Sequence, residues 1–194
     1  MKTRQMILCA LFAALTAVGI LINIPIPGTT MSFTLQTFFV FLAGLLLKPR
    51  YAIISQAVYA VLGLIGLPIF MKGGGISYVL EPSFGFIIGF CVCALLVSML
   101  VRRNILKLIS TSKERSTTAL KLKIVGYAFV SLIGMYVFGA VYMYLILNLY
   151  MGKGVTVEYV LITANGIFFL IDMLKFAVAI PLGVAVLKRV PTIR

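Results

Sequence analysis

Two opposite charges, Asp172 and Lys175, lie inside a segment of the chain that is otherwise strongly apolar. If this segment spans a membrane, each charge near its centre costs roughly 2.5 to 3.5 kcal/mol. On a helix, a spacing of three residues places both side chains on one face, where they can pair with each other or hold a ligand. The pair therefore predicts either a binding site or a structural salt bridge.

Asn165 extends this polar face. It lies seven residues before Asp172, so we expect Asn165, Asp172 and Lys175 on one side of a helix. Such a face suits a small polar molecule, because the carboxylate and the amide accept hydrogen bonds and the ammonium group binds an anion or a carbonyl oxygen. The alternative is an internal salt bridge that holds helices together.

The other chemistry-bearing residue types exclude several classes of site. The chain has no histidine, which argues against zinc and haem sites and removes the commonest general base. Its three cysteines form no CxxC pair, and no stretch has the G-x-x-x-x-G-K-[ST] spacing of a nucleotide-binding P-loop. We therefore expect no metal site, no cofactor and no enzymatic activity, and any ATP hydrolysis has to come from a partner.

Composition indicates which elements position these residues. Of the 194 residues, 62% are hydrophobic and 11% are charged, whereas about 25% are charged in soluble domains. We predict an all-α integral membrane protein, with residues 1–194 forming a single domain and a compact bundle of six transmembrane helices. Apolar windows of about 20 residues, bounded by prolines and charges, place the helices at 6–24, 30–47, 51–67, 83–101, 124–150 and 159–187.

The basic residues orient this bundle. With both termini in the cytoplasm, all of the 17 Lys and Arg residues except Lys72, Lys153 and Lys175 belong to cytoplasmic segments, as the positive-inside rule requires. This distribution accounts for the net charge of +13 without nucleic-acid binding. The basic segment 102–123 then acts as an ordinary topology signal, and contact with anionic lipids is the alternative.

Two further features lie outside the last helix. The glycine run around Gly74, in the loop 68–82, and the polar loop 25–32 should lie on the outer side, where a substrate arrives. Glycine lets backbone approach a ligand closely, although it also suits plain turns. In the first helix, Ala10 and Ala14 are four residues apart, a spacing that allows close helix packing in lipid, either within the bundle or against another membrane protein.

Four stretches of the chain form a joint pattern. Residues 34–50 read TLQTFFVFLAGLLLKPR, and GLIGLPIF (63–70), the glycine run (73–75) and PSFGFIIGF (82–90) follow. Together they resemble the BioY family, whose members are the biotin-binding S components of energy-coupling factor (ECF) transporters, with a TLQT…LLAGLLLGPR signature. The resemblance runs from the first helix to the sixth. Ile171 and Lys48 stand where the family often has glycine.

This resemblance implies roles for four of the residues above. The family's Asp-x-x-Lys motif in the last helix corresponds to Asp172 and Lys175, which would contribute to a biotin pocket. Its alanine motif in the first helix corresponds to Ala10 and Ala14, which would contact the transmembrane coupling subunit. The family resemblance thus assigns the polar pair to the ligand and the small-residue face to a partner.

Biotin would use the polar and aromatic side chains in distinct ways. Its ureido ring has two N–H donors and a carbonyl, for which Asp172, Asn165 and Gln36 are candidate partners. Its carboxylate needs a cation, either Lys175 or Lys72, and Lys175 could instead bind the ureido carbonyl. Its apolar bicyclic body would pack against aromatic residues, for which the candidates are Phe33, Tyr59 and Tyr78.

The implied function is high-affinity biotin binding and uptake across the cytoplasmic membrane of a prokaryote, as a multi-pass subunit working with a coupling subunit and cytoplasmic ATPase subunits. Two alternatives are a stand-alone facilitator and an S component for a different vitamin.

Overall fold

A computed structural model describes residues 3–25, 32–110 and 114–190 of the chain. These ranges contain six helices and one two-stranded antiparallel hairpin. The first three helices are α1 (Thr3–Val18), α2 (Gln36–Leu46) and α3 (Pro49–Leu64). They are followed by α4 (Phe84–Ser110), α5 (Glu114–Leu145, continued by a π turn over Ile146–Tyr150) and α6 (a π turn over Tyr159–Ala164, then Gly166–Arg189). The strands are β1 (Asn23–Pro25) and β2 (Ser32–Thr34), and a 3-10 turn covers Ile76–Leu80.

Three of these helices are long and apolar enough to cross a membrane. They are α4, α5 from Thr118 onward and α6, judged by length and composition. α1 and α2 are also apolar but have only 16 and 11 residues. The predicted helical architecture is confirmed in its coarse form, and the hairpin is an addition to the predicted all-α class.

The hairpin makes the first two helices shorter than predicted. α1 ends at Val18 rather than at residue 24, and α2 begins at Gln36 rather than at residue 30. Between them, β1 pairs with β2 so that Ile24 lies opposite Phe33. The intervening residues 26–31, which include most of the predicted outer loop 25–32, lie outside the described ranges. Pro25 cannot donate the backbone hydrogen bond that a continuing helix needs, and β-branched and aromatic residues favour the paired strands.

Gly19 brings the end of α1 against the start of α2. A Cβ atom at this position would lie 2.8 Å from the backbone nitrogen of Gln36. The backbone N–H of Leu35 also donates to the Gly19 carbonyl at 3.0 Å. The position of Gln36 is therefore fixed by a contact that only glycine allows.

The helix boundaries next to the basic segment 102–123 also differ from prediction. α4 continues to Ser110 instead of ending at residue 101, and α5 already includes Glu114 instead of beginning at residue 124. Lys and Arg are good helix formers, and their long side chains carry the charge away from an apolar helix surface. The segment 102–123 is therefore helical wherever the structure describes it. The third helix is also shifted, to Pro49–Leu64 from the predicted 51–67.

A break at Asn165 divides the last helix. Its backbone angles, φ −122° and ψ −22°, are not helical, and the regular part of α6 begins at Gly166. At ~1.5 Å per residue, Asp172 lies only about 9 Å from this start. The charged pair lies at the hairpin end of the bundle, because Lys175 donates to the Thr34 carbonyl of β2 at 2.6 Å.

Small residues allow close packing at the C-terminal end of α2. A Cβ atom on Gly44 would lie 2.6 Å from Cβ of Val97 in α4, and one on Gly183 would lie 2.9 Å from Cδ1 of Leu45. Ser98 also donates to the Leu47 carbonyl at 2.6 Å. These contacts join α2, α4 and α6 tightly at the C-terminal end of α2, whereas the candidate site lies at its N-terminal end.

Candidate functional site

A cavity of about 60 Å³ lies where β2 and the first turn of α2 face α3, α4, α5 and α6. Its polar lining comes from Ser32, Thr34, Gln36, Thr37, Ser83, Asp172 and Lys175. Its aromatic lining comes from Tyr59, Tyr78, Phe86, Phe90, Tyr136 and Phe168. Elements from both halves of the chain thus converge on one small, mostly apolar space with a few fixed polar groups, which is typical of a ligand site.

Asp172 and Lys175 form a buried ion pair on this cavity. Their side chains are 6% and 10% exposed, and Nζ of Lys175 lies 2.8 Å from Oδ1 of Asp172. Thr37 donates from Oγ1 to the same Oδ1 at 2.7 Å, and Tyr136 donates from its hydroxyl to Oδ2 at 2.8 Å. The carboxylate therefore ties α6 to α2 and to α5.

The ammonium group of Lys175 uses all three of its protons within the protein. Besides Asp172, it donates to the Thr34 carbonyl at 2.6 Å and to Oγ1 of Thr37 at 2.9 Å. Nζ also lies 4.6 Å from the centre of the Phe33 ring, a favourable cation–π distance. The pair is thus a salt bridge within α6, its further hydrogen bonds join α6 to β2, α2 and α5, and both residues line the cavity.

The carboxylate of Asp172 still has room for one more donor. An ionised carboxylate has about four accepting positions, and Thr37, Lys175 and Tyr136 occupy three of them. The remaining position belongs to Oδ2, which accepts from Tyr136 alone among the described residues. A ligand N–H can be added there without displacing a protein contact.

Gln36 supplies a neutral polar group on the other side of the cavity. Its Nε2 donates to the Tyr59 hydroxyl at 2.6 Å, and Tyr59 in turn donates to the Ile69 carbonyl at 3.1 Å. These contacts fix the side-chain amide with its nitrogen toward α3. Within the described residues, no donor reaches Oε1 of Gln36, so this oxygen is a second free acceptor.

The loop between α3 and α4 closes the cavity with Met71, Tyr78 and Ser83. The Tyr78 hydroxyl and Oγ of Ser83 are 2.8 Å apart and share a hydrogen bond. Burial raises the pKa of the Tyr78 phenol, so the group is neutral at physiological pH and offers a hydroxyl to a ligand. Tyr142 of α5 donates to the Val79 carbonyl and holds this loop down.

Two of the predicted ligand residues lie elsewhere. Asn165 is buried between α5 and α6, where its Nδ2 donates to the Val160 carbonyl and lies 3.8 Å from Sδ of Met143. The break at Asn165 changes the helical phase, so the seven-residue spacing to Asp172 does not bring the two side chains together. Gly74 packs on the end of α3, because a Cβ atom there would lie 2.1 Å from the Leu67 carbonyl oxygen. Neither residue lines the cavity.

The remaining candidates lie outside the cavity. Ala10 and Ala14 are exposed on the outer surface of α1. Lys72, the second candidate for a ligand carboxylate, pairs with Glu81 at 2.7 Å across the α3–α4 loop. Phe33 stacks on Lys175 from outside the cavity.

Sequence reasoning did not identify two residues that form hydrogen bonds with Asp172. Thr37 belongs to the TLQT stretch, so its motif could have suggested it. Tyr136 is a hydroxyl-bearing residue 36 positions before Asp172 on another apolar helix, and no sequence pattern connects the two. In the described ranges, no group of three or more His, Cys, Asp or Glu residues could hold a metal ion.

Comparison with known proteins places the chain in a family. The model of the BioY family matches residues 1–192. The probable biotin transporter BioY of Lysinibacillus sphaericus is 52% identical over 102 residues, or 53% of this chain and 51% of that protein. The match thus spans about half the length of that relative. The biotin transporter BioY of Rhizobium etli is 30% identical over 197 residues, which cover 98% of this chain and 97% of the relative.

The fold also has a counterpart among solved structures. The crystal structure of the S-component for biotin from an ECF-type ABC transporter is similar with a TM-score of 0.76. The two proteins are 23% identical, and the match covers 96% of this chain and 92% of that one. At this identity the likeness establishes the shared fold.

Proposed function

The chain belongs to the BioY family, and from this membership we propose that it is a biotin-binding S component of an ECF-type transporter. It binds biotin in the cavity at the start of α2, while a membrane coupling subunit and cytoplasmic ATPase subunits drive uptake. The relatives named above are described as biotin transporters rather than enzymes, and transport without catalysis is proposed here too.

The observation that carries this proposal is the pair of free acceptors on one cavity. Oδ2 of Asp172 and Oε1 of Gln36 are both held in place by other residues, and among the residues that the structure describes each keeps a position for a further hydrogen bond. The ureido ring of biotin has two N–H donors, which match these two oxygens. The Tyr78–Ser83 hydroxyl pair supplies a donor for the ureido carbonyl. Tyr59, Phe90 and Phe168 offer apolar surface to the bicyclic body.

The cavity has to open for this ligand to enter. Its volume of about 60 Å³ is well below the roughly 150 Å³ of a cavity that binds benzene, and the bicyclic ring of biotin is larger than benzene. Met71, Tyr78 and Ser83 are the lining residues that belong to the loop between α3 and α4, which includes the 3-10 turn Ile76–Leu80. We propose that this loop moves outward to admit biotin and that the Tyr142–Val79 hydrogen bond closes it again.

The membrane arrangement proposed is six spans with both termini in the cytoplasm. α2 is only 11 residues long, about 16 Å at ~1.5 Å per residue, and covers roughly half of a ~30 Å hydrocarbon core. Non-helical backbone at membrane depth is tolerated where it lines a cavity and its hydrogen bonds are satisfied. The paired strands β1 and β2 meet this condition. The positive-inside rule favours placing the hairpin end outside the cell.

The outer face of α1 is the proposed contact for the coupling subunit. Ala10 and Ala14 are exposed, whereas Ala13 is only 3% exposed. The buried face of α1 is fixed to α3, since Thr16 donates to Oε1 of Gln56 at 3.4 Å. The exposed alanines are thus available for close helix packing with a second membrane protein.

Leucine substitutions on the two faces of α1 test this contact. Ala10→Leu should leave biotin binding intact and block uptake by cells that contain the coupling module. Ala13→Leu is the matched control, because overpacking the bundle costs about 1 to 3 kcal/mol of stability whatever the partner. Loss of biotin binding in Ala10→Leu would instead assign this face to packing within the bundle.

Calorimetric titration of the purified full chain with biotin and a panel of other vitamins tests the function itself. Saturable binding of biotin alone is the expected result. Absence of biotin binding by the folded protein would overturn the proposal, and preference for another vitamin would assign a different S component. Full energised uptake in cells that lack the coupling module would identify a stand-alone transporter.

A further inference from the structure

The ligand cavity has a large apolar groove as its neighbour on the surface of the bundle. The groove has a volume of about 520 Å³ and runs between α5 and the start of α6, with walls that include Val137, Val141 and Leu161. We call this feature the α5/α6 groove. Among the described residues, Tyr136 alone lines both the groove and the ligand cavity. At this position a single side chain therefore separates the two spaces.

Two aromatic contacts hold the Tyr136 ring in this wall. Phe86, which lines the cavity, lies edge-to-face with it at 5.5 Å between ring centroids. Phe169, which lines the groove, lies edge-to-face with it at 5.1 Å. Phe86 is itself packed against α5, where a Cβ atom on Gly139 would lie 2.4 Å from its ring. The Tyr136 ring is therefore buried and fixed between a side chain of the cavity and a side chain of the groove.

The hydroxyl of Tyr136 places this wall next to one particular ligand position. It donates to Oδ2 of Asp172 at 2.8 Å, and the same Oδ2 keeps the free position that we assign to a ureido N–H. A nitrogen that donates there lies beside the phenol of Tyr136. The second acceptor, Oε1 of Gln36, belongs to an amide that is fixed by Tyr59 of α3. Only one of the two ureido nitrogens of biotin would therefore face Tyr136.

We propose that Tyr136 is a specificity-determining residue, whose ring excludes biotin derivatives that carry a substituent on the ureido nitrogen facing Asp172. This inference rests on the biotin site proposed above. A free N–H fits beside the phenol, whereas a larger group would have to displace a ring that is packed on both faces of the wall. Removal of the ring would join the cavity to the α5/α6 groove and leave space for such a group.

Calorimetric titration of the purified full chain tests this role, with biotin and with two isomers that carry a benzyl group on one or the other ureido nitrogen. Wild type should bind biotin and exclude at least one of the isomers. Tyr136→Ala should bind that isomer roughly tenfold more tightly than wild type does, because the benzyl ring fits the space that the tyrosine ring has left and no longer overpacks the wall. Tyr136→Leu leaves a smaller opening and should show a smaller gain for the same isomer.

Two variants serve as matched controls, and a thermal unfolding transition shows that each variant is folded. Tyr136→Phe keeps the ring and should still exclude the isomer. Phe90→Ala removes a ring of similar size from a part of the cavity that does not border the groove, so it should weaken biotin binding without admitting the isomer. Wild-type binding of both isomers, an equal gain in either control, or no gain in Tyr136→Ala and Tyr136→Leu would each overturn the inference. Absence of biotin binding by wild type would instead overturn the proposed function.

Discussion

Two ion pairs with nearly the same geometry lie in contrasting surroundings in this protein. Lys72 and Glu81 are 2.7 Å apart in the α3–α4 loop, with side chains 54% and 29% exposed. Lys175 and Asp172 are 2.8 Å apart at the cavity, with side chains 10% and 6% exposed. The distances do not distinguish the pairs, whereas burial and the further hydrogen bonds do.

The contrast shows what makes a buried charge tolerable. Lys72 has solvent around it, so its ion pair is worth little and is screened by salt. Asp172 and Lys175 have lost most of their hydration, which costs several kcal/mol per ion unless protein groups replace it. Thr37, Tyr136 and the Thr34 carbonyl supply that replacement. The buried pair is therefore a fixed polar network on the lining of the cavity.

Removing one charge of the buried pair should have the largest effect. Asp172→Asn leaves Lys175 charged, buried and without its counter-ion, so we expect a loss of about 3 to 5 kcal/mol in unfolding free energy. Biotin binding should also be lost, because the free carboxylate acceptor is gone. Thermal unfolding in detergent and biotin titration measure the two effects.

Asp172→Asn combined with Lys175→Met separates stability from binding. Replacing both members of a buried ion pair is often nearly neutral for stability, so the double variant should recover most of the wild-type melting temperature without recovering biotin affinity. If the double variant binds biotin normally, the pair is only structural and the ligand site lies elsewhere.

The hydroxyl of Thr37 should give the next largest effect. It accepts from Lys175 and donates to Asp172, and Thr37→Val removes both hydrogen bonds while keeping the shape. Leaving buried polar groups unsatisfied costs about 1 to 3 kcal/mol. Thr37→Ser keeps the hydroxyl and is the control. Equal melting temperatures of the Val and Ser variants would show that Thr37 does not stabilise the pair.

The buried pair also shows how far sequence reasoning reaches. Asp172 and Lys175 are three residues apart on one helix, so their contact follows from local periodicity. Tyr136 reaches Asp172 only through the packing of α5 on α6, which no local pattern encodes. Asn165 was assigned to the same face because the helical period was extended through a break that hydrophobicity does not reveal.

The hairpin was missed for a related physical reason. Hydropathy assigned residues 19–24 to the first helix and residues 30–35 to the second, because it does not distinguish an extended apolar segment from a helical one. Gly74 was assigned to the ligand because glycine permits close backbone approach, and the structure uses that property against the Leu67 carbonyl instead. Composition thus predicted the helical class, while the turns and breaks that shape the cavity depend on tertiary contacts.

A ligand contact outside the buried pair should change affinity more than stability. Gln36→Leu removes the neutral acceptor, and one neutral hydrogen bond is worth about 0.5 to 1.5 kcal/mol, or roughly a two- to tenfold loss of biotin affinity. Gln56→Leu is a matched control, because Gln56 is fully buried between α1 and α3 and does not line the cavity. The control should alter the melting temperature and leave biotin affinity unchanged. The opposite pattern would remove Gln36 from the site.

The exposed pair should give the smallest effect. Lys72→Met should change the unfolding free energy by less than about 1 kcal/mol, because a solvent-exposed ion pair contributes little.

The same Lys72→Met variant tests whether Lys72 or Lys175 binds the carboxylate of biotin. Both lysines already have protein partners, so either one would have to share its charge with the ligand. If Lys72 binds the carboxylate, the variant should bind biotin and biotin methyl ester equally, whereas wild type prefers the acid. If the preference for the acid persists in Lys72→Met, then Lys175 has to exchange one of its three protein acceptors for the ligand, and the two ion pairs differ in function as well as in burial.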